Sequence, residues 1–268
     1  MTQASALEAV LRRDRVIVLA GLVGVTALAW LYLVVMAAGM GDGMAMGGDG
    51  GGAAMAMPQI RPWGAIDFVL MFLMWAIMMV GMMVPSAAPM VLLYARVARQ
   101  REERAGPFTP TGAFVMGYIA VWAGFSLGAT GLQWALERAA LLSPMLVSTS
   151  PILGGLLLIA AGVYQWTPLK HACLDHCRSP QHFAMGRWRR GVGGAFRMGL
   201  ERGAFCVGCC WFLMGLLFVA GVMNLPWVAA IAAFVLLEKV APQGARVGRA
   251  SGVLLVLAGA ALLVRGYY

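Results

Sequence analysis

Three of the five cysteines lie close together in one apolar stretch of the chain, 203–222. In a helix, positions i, i+3 and i+4 share a face, so Cys206, Cys209 and Cys210 would point in the same direction. Thiols that converge on one face of an apolar helix favour a soft-metal site or a redox centre. Cysteine is also a small residue that is often buried, so close helix packing is the alternative interpretation.

A second group of soft ligands lies just before this stretch. His171, Cys173, His176 and Cys177 fall within seven residues, and His182 follows as a further candidate ligand. Neutral imidazole and thiolate together suit zinc or copper. If the segment is helical, Cys173, His176 and Cys177 share one face. The alternative is a basic loop that binds anionic lipid headgroups.

A methionine stripe supplies a third group. At 100° per residue, Met78 and Met82 lie on one helical face, and the same face begins with Asp67, Met71 and Met74. Thioether sulfur selects Cu(I) over hard cations. Asp67, Met71 and Met74 are therefore candidate entry ligands at the start of a path that leads into the membrane. Met78 and Met82 fall at a membrane depth similar to that of the cysteines, which permits a mixed thiolate and thioether site. A methionine-rich packing face is the alternative.

The elements that must position these residues are membrane helices. Of the 268 residues, 61% are hydrophobic and 12% are charged, whereas soluble domains are about 25% charged. The apolar stretches predict an all-α, polytopic transmembrane helix bundle with about seven spans. The net charge of +9 comes almost entirely from arginine. No nucleic-acid-binding motif is present, so nucleic acid is not expected as a partner.

The arginine-rich segments all fall on one side of a seven-span topology, which predicts a cytoplasmic N-terminus by the positive-inside rule. We therefore expect a multi-pass protein of the bacterial inner (cytoplasmic) membrane. The expected organisation is a cytoplasmic N-terminal segment at 1–15, an uncleaved first span at 16–38, a flexible Gly/Met-rich external loop at 39–62, and a six-span membrane domain at 63–268 with a cytoplasmic Cys/His loop at 167–193.

Local features predict how the spans are shaped and packed. Pro85 should kink the second span and free a backbone carbonyl one turn back, near Gly81. The fourth span is expected at 145–166. Four glycines of the third span should form close-packing surfaces: Gly117, Gly124, Gly128 and Gly131. Four charged residues are expected to form ion pairs at the cytoplasmic rim: Glu201, Arg202, Glu238 and Lys239.

Four segments resemble a bacterial family of unknown function that is described as predicted metal-binding integral membrane proteins. They are MWAIMMVGMMVPSAAPMVLLYA (74–95), YQWTPLKHACLDHCRSP (164–180), GAFCVGCCWFLM (203–214) and GVMNLPWVAAIAAFVLLEK (221–239). The resemblance covers about residues 63–265 and implies a multi-span membrane protein with a metal site. The ligands it implies are His171, Cys173, His176, Cys177, Cys206, Cys209 and Cys210. It implies no established reaction.

Together, these patterns favour a soft-metal membrane protein that acts in metal transport, delivery or homeostasis. Copper as Cu(I) is the expected ion and zinc is the alternative. Two other classes stay open: a thiol–disulfide or quinone-linked oxidoreductase, and a non-catalytic assembly subunit of a membrane complex. No catalytic residues are identified, and a non-enzymatic role is favoured. The expected partners are the lipid bilayer, the metal ion, and a membrane or metallochaperone protein.

Overall fold

The fold is helical throughout the residues that the computed structural model describes, 2–45, 63–101, 108–142, 150–178 and 188–265. This confirms the predicted all-α class. Nine helices occur in these ranges: α1 (Thr2–Ala45), α2 (Ala65–Arg101), α3 (Phe108–Arg138), α4 (Pro151–Tyr164), α5 (Pro168–Arg178), α6 (Gly191–Gly215), α7 (Leu217–Ala220), α8 (Leu225–Val240) and α9 (Gly244–Arg265).

Several helices are long enough to cross a membrane. Five apolar helical segments meet the requirement: Arg13–Gly39, Ala65–Arg99, Phe108–Arg138, Gly191–Ala220 and Gly244–Arg265. The pair α4 and α5, bent by 64°, makes a sixth if it is counted as one broken span. Helix α8 has 16 residues, or about 24 Å, which is less than the ~30 Å hydrocarbon core. The predicted count of about seven spans and the cytoplasmic N-terminus are therefore not confirmed.

The expected Cys/His loop at 167–193 contains helix in its described part, and its residues 179–187 lie outside the described ranges. Residues 168–178 form α5, which packs against α6, and α6 itself begins at Gly191. Proline explains the break before α5, because the residue that precedes a proline is disfavoured in the helical conformation. Thr167 precedes Pro168, and its Oγ1 accepts a hydrogen bond from the Lys170 backbone N–H at 3.3 Å.

The first helices also differ in extent from the predicted segments. Helix α1 covers the expected N-terminal segment and first span, and it continues to Ala45, inside the expected Gly/Met loop. Residues 46–62 of that loop lie outside the described ranges. Helix α4 begins at Pro151, after Ser150, whose side chain accepts a hydrogen bond from Leu153 N–H at 3.3 Å. Residues 145–149 of the expected fourth span are also outside the described ranges.

Helix α2 continues through Pro85 and Pro89. Because proline has no N–H, the Gly81 carbonyl loses its usual partner within the helix. Trp30 of α1 donates its indole N–H to this carbonyl at 3.2 Å. The predicted freed carbonyl is thus confirmed, and its partner comes from the neighbouring helix.

A close crossing between α3 and α6 fixes one wall of the interior. A Cβ atom at Gly117 would collide with the Phe196 carbonyl, and one at Gly199 would collide with the Phe114 carbonyl. The helices can therefore approach each other only because both positions are glycine. This contact holds Tyr118 of α3 against α6. The packing role predicted for four glycines of α3 applies to Gly117, since no described atom lies within 4 Å of a Cβ built at the other three: Gly124, Gly128 and Gly131.

The arginine-rich ends of the helices gather at one end of the bundle, which we call the basic end. Arg99 near the end of α2 pairs with Asp14 near the start of α1, with Nη2 and Oδ2 2.5 Å apart. At the end of α5, Arg178 donates to the carbonyl of Ala241, the residue after α8, at 2.5 Å. The described candidate metal ligands lie in the helices between the basic end and the opposite end of the bundle.

Candidate metal centre

Helix α6 presents three thiols to the interior of the bundle. Cys206, Cys209 and Cys210 are each exposed by 2% or less, as their spacing on one helical face predicts. The thiols of Cys209 and Cys210 donate to the carbonyl oxygen of Cys206 at 3.1 and 2.9 Å. The three side chains therefore lie within about one turn of α6.

A fourth thiol reaches this group from α5. Cys177 packs against the apolar cluster that contains the three cysteines of α6, and it lines one cavity together with Cys206. Arg202 of α6 holds the end of α5 in place, because its Nη1 donates to the His176 carbonyl at 2.7 Å. The structure thus brings together four of the five cysteines, and we call them the four-thiol group.

Cys206 has two polar neighbours on other helices. Its Sγ lies 2.9 Å from Tyr118 Oη and 2.9 Å from Lys239 Nζ. Lys239 also donates to Ser86 Oγ at 3.0 Å. Burial of an ammonium group is unfavourable unless it is hydrogen-bonded or paired, and Lys239 is only 9% exposed. Among the described residues no carboxylate pairs with it.

The other charged residues predicted at the rim do form polar contacts. Glu238 forms a buried ion pair with Lys170, with Oε1 and Nζ 2.6 Å apart. Glu201 forms an exposed pair with Arg189, in which the shortest N–O distance is 3.4 Å. Lys239 therefore departs from the expected ion pairing, because its partners are a thiol and a hydroxyl group.

The methionines of α2 share the buried core with the cysteines. Met78 and Met82 are each 1% exposed, and they belong to the same apolar cluster as the α6 cysteines. The backbone of α2 also contacts the residues around Cys206. The Met83 carbonyl accepts hydrogen bonds from Ser86 Oγ at 2.8 Å and from Tyr118 Oη at 3.4 Å. Metal ligation by Met78 and Met82 stays a prediction.

The start of the predicted methionine path lies towards the opposite end of the bundle. Asp67 Oδ2 accepts a hydrogen bond from the Gly64 backbone N–H at 2.8 Å, which is a capping contact at the start of α2. Met71 Sδ accepts a hydrogen bond from Gln133 Nε2 at 3.6 Å, and Met74 is fully buried. Metal ligation by these three residues of α2 also stays a prediction.

The described contacts of the histidines lie outside the four-thiol group. The His176 ring stacks on Phe205 with centroids 4.3 Å apart, and its Nδ1 lies 2.8 Å from the Ala172 carbonyl oxygen. His171 Nδ1 is buried without a hydrogen-bond partner in the part of the chain that the structure describes. His182 lies outside the described residues.

Cys173 packs beside the four-thiol group, against Gly208 of α6. A Cβ atom at Gly208 would lie 2.7 Å from Cys173 Sγ, so the absence of a side chain there allows the close approach. Tyr164, the last residue of α4, donates its hydroxyl hydrogen to the Gly208 carbonyl. The break between α4 and α5 is therefore fixed onto α6 within one turn of Cys209.

Two adjoining cavities lie between the four-thiol group and the basic end. The inner cavity has a volume of about 30 Å³ and includes Tyr118, Arg202 and Cys206 in its lining. The outer cavity has a volume of about 190 Å³ and includes Pro89, Arg178 and Val240. Four residues line both cavities: Ser86, Met90, Cys177 and Lys239.

The four-thiol group is not arranged as a finished metal shell. Within the described ranges, no three or more His, Cys, Asp or Glu side chains are placed to hold a metal ion. Two thiols are directed at the Cys206 carbonyl, and the Cys206 sulfur contacts Tyr118 and Lys239. The donor chemistry nonetheless suits copper, because thiolates together with nearby thioethers are soft ligands that favour Cu(I).

A protein-family model, PpoB2, described as a copper chaperone, matches residues 72–262. The chain belongs to this copper chaperone family. Membership supports a copper-related function and confirms the resemblance to a metal-binding family, whereas zinc gains no support. The match contains all five cysteines and Lys239, and it excludes α1, Asp67 and Met71. No curated protein and no solved structure matches the chain significantly.

Three residues around Cys206 in this copper chaperone family member were not predicted as part of the site: its contacts Tyr118 and Lys239, and Ser86, which binds Lys239. Lys239 has the clearest sequence signal, since it ends an apolar helix and could be expected to need a buried partner. Ser86 follows Pro85, where irregular hydrogen bonding is expected. Tyr118 has no comparable signal, because its proximity to Cys206 depends on the α3–α6 crossing.

Proposed function

We propose that the protein is a membrane-embedded copper chaperone that binds Cu(I) on the four-thiol group and passes it to a partner protein. The observation that carries the proposal is that Cys177 packs against the buried cluster that holds Cys206, Cys209 and Cys210. Thiolate sulfur is a soft ligand that favours Cu(I). The description of the family as a copper chaperone supports the same ion.

The charge around the group also suits a complex of Cu(I) with two thiolates. Cu(I) held by a pair of thiolates carries one net negative charge, which is unfavourable in an apolar interior unless it is compensated. Lys239 Nζ lies 2.9 Å from Cys206 Sγ and can supply the compensating positive charge. A monovalent copper thiolate complex beside Lys239 is thus electrically neutral.

Other candidate ligands have supporting roles in this proposal. Met78 and Met82 would provide thioether contacts next to the thiols, since they share the same buried cluster. His171, Cys173 and His176 lie on α5 with Cys177 and would take part in copper exchange. Asp67, Met71 and Met74 would be secondary ligands towards the opposite end. We place the basic end in the cytoplasm of a bacterial inner-membrane protein, following the positive-inside rule.

Copper analysis of the purified protein after anaerobic loading with Cu(I) tests the proposal. The triple variant Cys206→Ser/Cys209→Ser/Cys210→Ser should lose copper affinity by more than about a hundredfold, equivalent to about 2.7 kcal/mol. Cys173→Ser is the comparison variant, because this thiol lies outside the four-thiol group, and its affinity should fall by much less than that of the triple variant. Equal copper binding by the triple variant and the wild type would refute the proposed site.

A further inference from the structure

The two cavities at the basic end share part of their lining, and the inner one reaches Cys206 of the four-thiol group. The outer rim includes Val240, which is 56% exposed, whereas the shared wall includes Ser86 at 8% and Lys239 at 9%. The inner cavity then ends at Cys206, which is 2% exposed. The lining therefore runs from an exposed residue at the rim, Val240, to a buried thiol, Cys206.

Soft ligands lie in the wall common to both cavities. Met90 of α2 and Cys177 of α5 line the outer and the inner cavity, and both are half-buried. A thioether and a thiolate are ligands that Cu(I) accepts during exchange between donors. Cys177 is itself a member of the four-thiol group and lines the inner cavity with Cys206, so an ion bound there is already beside the cysteines of α6.

The other end of α2 offers a much tighter environment. Met74, Trp75 and Met79 are fully buried, and Trp75 donates its indole N–H to Gln133 Oε1 at 2.7 Å. An ion that moved along this face would have to displace closely packed side chains and break that hydrogen bond. Movement along the predicted methionine stripe is therefore less favourable than movement through the cavities.

We propose that Cu(I) enters and leaves the four-thiol group through these cavities at the basic end, with Met90 and Cys177 as its first protein ligands. The inference rests on the proposed copper function and adds the route and a ligand, Met90, that the sequence patterns did not single out. Ion exchange then takes place between the C-terminal parts of α2, α5 and α8.

The rate of copper loading tests the route separately from copper binding. Purified full-length protein in detergent is mixed with a Cu(I)–chelator complex, and copper transfer is followed by the absorbance of the chelator. Met90→Leu removes the thioether and keeps the size of the side chain. It should slow loading by about tenfold. Met116→Leu is the matched control, since Met116 is 59% exposed on α3, and it should load at the wild-type rate.

A second variant tests the passage itself. Val240→Trp places a large ring at the rim and should also slow loading, whereas Val247→Trp on α9 should not. Wild-type loading rates in both Met90→Leu and Val240→Trp would overturn the route, and so would slowing by Met74→Leu but not by Met90→Leu. Failure of the proposed function is a different result, because wild-type protein would then bind no copper at equilibrium.

Discussion

Lys239 Nζ lies 2.9 Å from Cys206 Sγ, in a core that combines methionine, cysteine and aromatic side chains with aliphatic ones. The only other described hydrogen bond of this ammonium group goes to Ser86 Oγ. A buried positive charge beside a thiol stabilises the thiolate and any complex that leaves a negative charge on sulfur. The pair therefore links the architecture of α6 and α8 to the affinity of the site for copper.

Replacement of Lys239 should weaken copper binding more than it changes the fold. Lys239→Met keeps the length of the side chain and removes the positive charge. We expect Cu(I) affinity to fall by about tenfold or more, because the negative charge of the copper thiolate complex is left uncompensated. Competition with a colorimetric Cu(I) chelator measures the change. Lys239→Arg keeps the charge and should retain more affinity than Lys239→Met, and equal affinity in all three proteins would contradict the electrostatic role.

The buried pair Lys170–Glu238 should matter for stability. Glu238→Gln leaves the Lys170 ammonium without its carboxylate, and loss of one partner of a buried pair lowers the free energy of unfolding by about 3–5 kcal/mol. Thermal unfolding in detergent measures the effect. The exposed pair Arg189–Glu201 provides the matched control, since Glu201→Gln should change stability by less than about 1 kcal/mol. The double variant Lys170→Met/Glu238→Leu should recover most of the loss, and similar effects of Glu238→Gln and Glu201→Gln would contradict the burial argument.

The α3–α6 crossing should be sensitive to a single methyl group. Gly199→Ala places Cβ against the Phe114 carbonyl, and we expect destabilisation by about 1–3 kcal/mol. Copper affinity should fall as well, because the shift of α3 moves Tyr118 away from Cys206. Gly128→Ala is the control on the same helix pair, where no described atom lies within 4 Å of the added group. Its melting temperature should equal or exceed that of the wild type, and equal melting temperatures for both variants would show that the helices do not cross closely.

The five cysteines should react with a small alkylating reagent in a fixed order. Cys173 and Cys177 are half-buried, whereas the three cysteines of α6 are buried. We therefore expect the two thiols of α5 to be modified first in the folded protein, with the α6 thiols reacting after denaturation. Peptide mass spectrometry of samples taken over time identifies each modified residue. Early modification of Cys206, Cys209 or Cys210 in native protein would contradict their placement in the core.

Periodicity allowed the helical class and the shared face of Cys206, Cys209 and Cys210 to be predicted, because both depend on positions a few residues apart. The freed Gly81 carbonyl was predictable for the same reason, since a proline acts on the carbonyl four residues earlier. The approach of Cys177 to the cysteines of α6 was only one of two arrangements that the sequence left open, the other being contact with Met78 and Met82. It depends on the helical break before Pro168 and on the contact of Arg202 with the His176 carbonyl, which join segments far apart in the chain.

The polar environment of Cys206 could not be inferred from local patterns either. Ser86, Tyr118 and Lys239 come from α2, α3 and α8, and their meeting depends on three separate helix contacts. Charge position alone suggested an ion pair for Lys239 at the rim. Lys239 is instead buried, and the partners available to it at that depth are a thiol and a hydroxyl group.

The hydrogen bond from Trp30 to the Gly81 carbonyl gives α1 a role that is independent of copper. Within hydrocarbon there is no water to satisfy a carbonyl that proline has released, and such a group is unfavourable without a partner. The indole N–H of Trp30 supplies the hydrogen bond that water cannot provide there. Helix α1, although it lies outside the range matched by the copper chaperone family, therefore allows α2 to keep its proline inside a bilayer. Loss of α1 would expose a defect in the helix that carries Met78, Met82 and Met90.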